Sequence, residues 1–251
     1  MFQSNKGIHV LIIVVILSAT LAGCAAITPG RTIEIKAAKP VAVSTGKNWW
    51  GVRFQIEWPR DAEPRWYMGL LIAHQIVRPV LDQYEGEIDL WRFHRRAARD
   101  NAGHRFSFIF YASPETATRI YAAIESNELL KDLKFAGLIE SATYDDTTEI
   151  AKPNIADSSD KNWSLPIQEA WPYYIMGVSQ MWLQLSGDIA MAISKDNQPA
   201  SIQELEGVFQ KADAAVSGLW QKEGRHAFLH HLNAIFEYKP VVVWEKRLLK
   251  F

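Results

Sequence analysis

A run of alternating side chains, from Trp50 to Trp58, constrains the fold of this chain more than any other sequence feature. Apolar residues in this run are separated by small, charged or amide residues such as Gly51, Arg53 and Gln55. A β-strand sends successive side chains to opposite faces, and this period is typical of a strand with one buried face. The run therefore predicts a half-buried strand, which needs paired strands beside it and a layer that covers its apolar face.

The following hundred residues supply these neighbours in a definite order. The spacing of apolar residues predicts a helix over 66–84, strands over 88–96 and 104–111, a helix that begins after Ser113 and is interrupted near Ser126, and a strand over 138–144. The order β-α-β-β-α-β is that of the split-βαβ or ferredoxin-like arrangement. We therefore predict an α+β fold: a ferredoxin-like antiparallel sheet with two helices on one face, followed by a mainly helical C-terminal segment.

The N-terminus carries the pattern of an export signal. Lys6 precedes an unbroken apolar run, Val10 to Leu17, which is too short to span a bilayer as a helix. Leu21-Ala22-Gly23-Cys24 follows, and its cysteine is the only one in the chain. This stretch resembles the lipobox of bacterial lipoproteins, in which small residues let a peptidase reach the bond before the cysteine. The resemblance implies cleavage before Cys24, a diacylglyceryl thioether on its sulfur and an acylated new N-terminus.

This resemblance places the protein at the bacterial cell membrane, because several acyl chains on Cys24 form a firm anchor. Ala25 stands where inner-membrane lipoproteins often carry aspartate, which favours the periplasmic face of the outer membrane if the cell has one. The alternative is an ordinary signal anchor with an incidental cysteine. The predicted organisation is a signal peptide (1–23), a tether (24–47), a ferredoxin-like domain (48–146), a connector (147–164) and a helical segment that packs on that domain (165–251).

The composition excludes several classes of protein. The 251 residues include 27 Lys and Arg against 28 Asp and Glu, whereas nucleic-acid-binding proteins normally show a strong basic excess. A hydrophobic fraction of 48% indicates a globular protein, and a single cysteine excludes a disulfide framework and a cysteine-based zinc site. The chain has no glycine-rich phosphate loop. We therefore predict a protein with no nucleic-acid partner, no cofactor and no metal.

The densest polar stretch lies at residues 91–105, which contain five arginines and two histidines but a single acid, Asp100. Arginine presents a planar fork of donors that suits carboxylates and phosphates, so this stretch indicates an anion-binding surface. The predicted strands give it one polar face, which Ser107 can join. The candidate anion-binding residues are Arg53, Arg92, His94, Arg96 and Arg105.

The same arginines have a purely structural interpretation. They can form ion pairs with Glu57, Asp89 and Asp100, or lie over aromatic rings. The two interpretations make different predictions, because only unpaired arginines on an open face are available to a ligand.

Two classes of function fit this sequence. The first is a non-catalytic binding or assembly module at the cell envelope, whose partner is an envelope protein or an anionic ligand. The second is an envelope enzyme acting on an anionic substrate through residues 92–105, with His94 or His104 as acid/base and Arg92, Arg95 or Arg96 as anion clamps. A pocket that gathers both histidines would favour the enzyme. We find no recognised catalytic set and therefore favour the module.

Two further groups of residues have mainly structural interpretations. His226 and His230 have helical spacing that can bind a metal, but Ala227 stands where a zincin helix needs glutamate. We therefore assign these histidines, with His231, to amphipathic packing. Most of the ten tryptophans are expected in the core. The exception is the pair Trp49-Trp50, which follows the tether and is the pair most expected to face a membrane or a partner.

Overall fold

The computed structural model describes residues 46–195 and 199–241, which form an α+β fold. The lipobox and Cys24 lie outside the described residues. The strands are β1 (Asn48–Ile56), β2 (Leu90–Ala97), β3 (His104–Ala112) and β4 (Ile139–Tyr144). The helices are α1 (Tyr67–Ile72, a π-helical turn at Ala73–Val77, then Arg78–Gln83), α2 (Pro114–Glu125), α3 (Glu128–Phe135), α4 (Leu165–Ser194), α5 (Ile202–Gly224) and α6 (His231–Ile235), with a 3-10 turn at Ile155–Ser158 and a π-helical turn at Arg225–His230.

The four strands form one antiparallel sheet in the order β2-β3-β1-β4. β1 pairs with β3 along its whole length and with β4 from Val52 onward. The predicted alternation is confirmed, because the apolar side chains of β1 that follow Trp49 are at most 1% exposed: Trp50, Val52, Phe54 and Ile56. The strand ends at Ile56, earlier than the alternation suggests.

One face of the sheet packs against the helices and forms the core. Phe106, Phe108 and Phe110 of β3 are at most 1% exposed and belong to the same apolar cluster as Leu70 of α1 and Ile120 of α2. The helices α2 and α3 each begin at a residue whose side chain caps the helix N-terminus. The Ser113 hydroxyl accepts a hydrogen bond from the Thr116 amide, and the Asn127 side-chain oxygen Oδ1 accepts one from the Leu130 amide. The predicted interruption near Ser126 is therefore a second capped helix start.

The C-terminal helices pack against the edge strand β2 and against α1. The Ser179 hydroxyl of α4 accepts a hydrogen bond from the Phe93 amide at 3.1 Å, which satisfies a donor that an edge strand would otherwise leave unpaired. α5 buries Phe209 and Ala212 in the common core. Within the described part of the chain, no helix combines the length and the hydropathy that crossing a bilayer requires.

The expectation that Trp49 and Trp50 face a membrane or a partner is wrong, because their exposed fractions are 3% and 1%. The Trp49 indole donates hydrogen bonds to the carbonyl oxygens of Asn154 and Ile155, and the Trp50 indole donates one to Ala112. Residues from the connector therefore cover Trp49, on the face opposite the main core.

Candidate functional site

The candidate site is the polar face of the sheet, which lies opposite the face packed by α1 and α2. The strand registers place Arg53 beside Ser107, and Ser107 beside His94, in one row across β1, β3 and β2. In the next row, Arg105 lies beside Arg96. The alternation of β2 puts a further arginine on this face. The register thus brings all five candidate residues to one face: Arg53, Arg92, His94, Arg96 and Arg105.

Ser107 forms the floor of this polar face. It is 5% exposed, and among the described residues its hydroxyl has no hydrogen-bond partner. The hydroxyl oxygen itself is not among the enclosed polar atoms of the described residues, so water or a bound ligand can supply its hydrogen-bond partner. Arg53 and His94 are its direct neighbours on the adjacent strands. The Ser107 hydroxyl can therefore donate a hydrogen bond to an anion that also contacts the Arg53 guanidinium and the His94 imidazole.

Two of the arginines form ion pairs. Arg53 Nη1 lies 2.6 Å from Asp145 Oδ1, and a Cβ on Gly51 would lie 3.2 Å from atoms of both side chains. Gly51 thus leaves the space that this ion pair occupies. Arg96 Nη2 lies 2.6 Å from Asp100 Oδ2. These pairs are about one-third exposed or more on each side, so they hold the side chains in place but stabilise the fold only weakly.

The other two arginines of the face have no carboxylate partner among the described residues. The Arg92 guanidinium lies 4.9 Å from the ring centroid of Trp171, its Nε is buried without a partner, and burial lowers its pKa. Arg105 Nη2 donates to Gln55 Oε1 at 3.5 Å, which is a neutral acceptor. Two positive charges on this face are therefore uncompensated by a carboxylate and available to an anionic ligand.

The charges of the polar face affect the pKa of His94. Its side chain is exposed, yet its pKa is lowered, first by partial desolvation and then by the positive charges of Arg92 and Arg96. Only the arginine contribution to this shift concerns the potential, and the same two positive charges attract an anion.

The acids that were expected to neutralise the cluster mostly pair elsewhere. Glu57 pairs with Arg65 at 3.1 Å, and Asp89 pairs with Lys47 at 2.7 Å. Of the three predicted partners, only Asp100 binds an arginine of the candidate site. The structural interpretation therefore accounts for Arg96 but not for the whole cluster.

Arg95 and His104 lie on the opposite, core-facing side of the sheet, because they alternate with the candidate residues in β2 and β3. Arg95 Nη2 lies 3.3 Å from Asp213, and its guanidinium lies between the rings of Trp66 and Trp182, at 5.4 Å and 5.0 Å from their centroids. Arg95 therefore does not lie beside Arg92 and Arg96 on the polar face, and the prediction that it acts there as an anion clamp is wrong. The strand also separates His94 from His104, so these two histidines do not share a pocket.

The histidines of the C-terminal region lie on an exposed helix surface. The rings of His226 and His230 are stacked with centroids 5.2 Å apart, and His231 lies 5.6 Å from His226. No cluster of three or more His, Cys, Asp or Glu side chains in the described ranges is arranged to hold a metal ion.

Two histidines outside the polar face are strongly shifted in pKa. His104 is 2% exposed and contacts the rings of Trp58 and Trp66 edge-on. Burial, followed by the charges of Arg95 and Arg65, lowers the pKa of His104 to about 4.

His74 lies in the π-helical turn of α1, where its Nε2 is 2.9 Å from the Ser186 hydroxyl and its ring stacks on Phe209. Burial, followed by the charge of Arg78, lowers the pKa of His74 to about 4. Both histidines are therefore neutral in the folded protein at neutral pH.

We expect the protein to lose stability between about pH 7 and about pH 5. The unfolded chain protonates these histidines near pH ~6.5, whereas the folded protein keeps His74 and His104 neutral down to about pH 4, so the stability present above ~6.5 falls as the pH decreases. The loss by pH ~5 should be about 1–2 kcal/mol for each histidine. Urea unfolding at the two pH values measures it.

The double variant His74→Gln/His104→Gln should show a much smaller decrease, while His94→Gln, on the exposed face, should keep most of it. An equal decrease in both variants would assign the pH dependence to other groups.

Comparisons with known proteins supply no relative. Neither the protein-family models, nor the curated proteins, nor the solved structures include a match to this chain.

Proposed function

We propose that this protein is a lipid-anchored bacterial envelope lipoprotein, and that the polar face of its sheet binds an anionic ligand or the acidic surface of an envelope protein without catalysis. The observation that carries the proposal is the composition of the polar face. In the described part of the chain, the Ser107 hydroxyl has no hydrogen-bond partner, and Arg92 and Arg105 have no carboxylate partner. Binding needs only such complementary charges and donors.

The absence of a shared histidine pocket weighs against the enzyme. An acid/base reaction on this face would depend on His94 alone, whose side chain is exposed and has no carboxylate to orient it among the described residues. Binding is therefore the simpler interpretation of the same residues.

The ferredoxin-like classification is part of this proposal. It is supported by the order of the elements and by the central position of β1 between β3 and β4. In this arrangement α1 and α2 occupy one face of the sheet. The connector covers Trp49 on the opposite face and Trp171 lies over Arg92, and the remainder of that face carries the other candidate residues.

The anchor is proposed from the sequence alone, on the lipobox Leu21-Ala22-Gly23-Cys24. A diacylglyceryl thioether on Cys24 would hold the protein at the membrane surface, and Ala25 favours the periplasmic side of an outer membrane in a cell that has one. A partner with acidic or phosphate groups at that surface fits the charges of the face.

Replacing Cys24 with serine should abolish lipid labelling and membrane retention, because serine has no thiol to form the thioether. Fractionation of cells grown with a labelled fatty acid measures both effects. Ala26→Ser, which adds the same hydroxyl just outside the lipobox, is the matched control and should remain anchored. If Cys24→Ser stays in the membrane after high-salt washing with its leader uncleaved, the anchor is a helix and not a lipid.

Replacing both unpaired arginines, Arg92→Gln/Arg105→Gln, should weaken binding of a fluorescent polyphosphate by about tenfold or more, because each arginine contributes a charge-assisted contact. Added salt should weaken the wild type in the same way. Fluorescence anisotropy measures the affinity. Arg119→Gln removes an equal charge far from the face, from a pair with Glu87, and should bind as the wild type does. Equal affinity of the double variant and the wild type would contradict the anion site.

A further inference from the structure

A separate cavity lies at one end of the sheet, between the loop that follows β1 and the hairpin turn that joins β2 to β3. Its volume is about 400 Å³, within the range of sites that bind small molecules. The polar residues that line it include Gln55, Arg60, Asp100, His104 and Glu140.

An arginine fixes the two walls of this cavity to each other. Arg99 of the hairpin donates hydrogen bonds to the carbonyl oxygens of Trp58, Pro59 and Ala62 at 3.2, 2.8 and 3.1 Å. Its guanidinium also lies 3.4 Å from the ring centroid of Trp58. Because these contacts join the loop to the turn without a ligand, the cavity is preorganised.

A glycine and a histidine shape the inner surface of the cavity. Gly103 has a φ of +55°, and a Cβ at this position would lie 2.7 Å from Gln55 Nε2. Glycine therefore lets the Gln55 amide lie against the turn. His104 is 2% exposed, and its Nδ1 has no hydrogen-bond partner in the described part of the chain. A buried polar atom without a partner marks a place that a ligand or an ordered water can complete.

The charges at the cavity are of both signs. Arg60 is exposed and has no carboxylate partner among the described residues. Asp100 is already used, because it pairs with Arg96 and accepts hydrogen bonds from the amides of Ala102 and Gly103. Glu140, at the start of β4, has no hydrogen-bond or ion-pair partner among the described residues. One cation and one carboxylate are thus available to a ligand.

We propose that this cavity binds a small hydroxylated anion, the chemical class of sugar phosphates and sugar acids. Arg60 contacts the anionic group, Glu140 accepts hydrogen bonds from hydroxyl groups, and the Gln55 amide and the His104 imidazole complete the polar surface. A simple anion would be repelled by Glu140, and a neutral sugar would leave Arg60 without a counter-charge. A compound with both kinds of group satisfies both residues. The cavity adjoins the polar face, because Gln55 also accepts a hydrogen bond from Arg105, but none of the candidate anion-binding residues lines it.

The test is calorimetric titration of the protein with glucose 6-phosphate and with glucuronate, which carry the two kinds of anionic group. We expect saturable binding of at least one, with a dissociation constant of about 1 mM or lower. Glucose alone and inorganic phosphate alone should bind about tenfold more weakly or not at all, because each satisfies only one of the two charged residues.

Arg60→Gln and Glu140→Gln, both at exposed positions, should each weaken the binding by about tenfold. Arg119→Gln, which removes a surface charge from the pair with Glu87, should leave it unchanged. The proposal is overturned if neither compound binds the wild type at about 10 mM, or if Arg60→Gln and Glu140→Gln bind as the wild type does. Inorganic phosphate binding as tightly as glucose 6-phosphate would also overturn it. A loss of binding in Arg92→Gln alone would assign the compounds to the polar face, which would remove the cavity site and leave the proposed function standing.

Discussion

Replacing Phe108 with alanine should lower the free energy of unfolding by about 3–5 kcal/mol, the largest effect that we expect from a single substitution in the sheet. Phe108 is fully buried, and its ring lies 4.9 Å from that of Phe110 and 6.2 Å from that of Phe93. The helices hold these neighbours in place, so the cavity left by the missing ring would collapse only in part. Urea unfolding followed by tryptophan fluorescence measures the loss.

The control for this substitution lies on the other face of the same strand pair. Arg92→Gln/Arg96→Gln should cost only about 0–1 kcal/mol, since the Arg96 pair is too exposed to contribute much and Arg92 loses only its contact with the Trp171 ring. If the arginine pair proves as destabilising as Phe108→Ala, these arginines belong to a buried network. The anion-binding interpretation would then lose its main support.

Replacing Arg95 with methionine should cost about 2–4 kcal/mol, although Arg95 lies in the same cationic stretch as the candidate residues. Arg95 donates hydrogen bonds to the Trp66 carbonyl oxygen and to Asp213 of α5, and it lies over the ring of Trp182 of α4. The Asp213 side chain is 24% exposed, so removal of the Arg95 charge leaves this carboxylate partly buried without its ion-pair partner. Thermal and urea unfolding measure the cost, and the loss should include weaker packing of the C-terminal helices.

Arg96→Met, one residue further along β2, is the matched control and should cost less than about 1 kcal/mol. The double variant Arg95→Met/Asp213→Asn should be more stable than the sum of the single losses predicts, because it removes both charges together. Equal costs for Arg95→Met and Arg96→Met would mean that Arg95 does not hold the helices to the sheet.

Local rules predicted much of this fold from the sequence. The alternation after Trp50 defined β1 and its buried face, and Ser113 marked the start of α2. The same alternation, followed along β2 and β3, brought Arg92, His94 and Arg105 to one face. These features are predictable because the pleat of a strand and the first turn of a helix depend on residues that are close in sequence.

Other parts of the candidate site were not predictable in this way. Nothing in the sequence around Ser107 indicates that its hydroxyl has no partner, and nothing around Gly103 indicates that it leaves space for Gln55 across the sheet. Both facts depend on residues more than forty positions away in the chain. Pairs so distant in sequence become neighbours only through the strand register.

The sequence by itself determined the α+β class, the strand boundaries to within a few residues and the polar face with its arginines. Only the tertiary structure decided which of those arginines remain unpaired, that Trp49 is covered by the connector, and that Arg95 joins the sheet to α4 and α5. The physical reason is that alternation fixes the face on which a side chain lies, whereas its partner and its burial depend on whatever distant segment packs over that face.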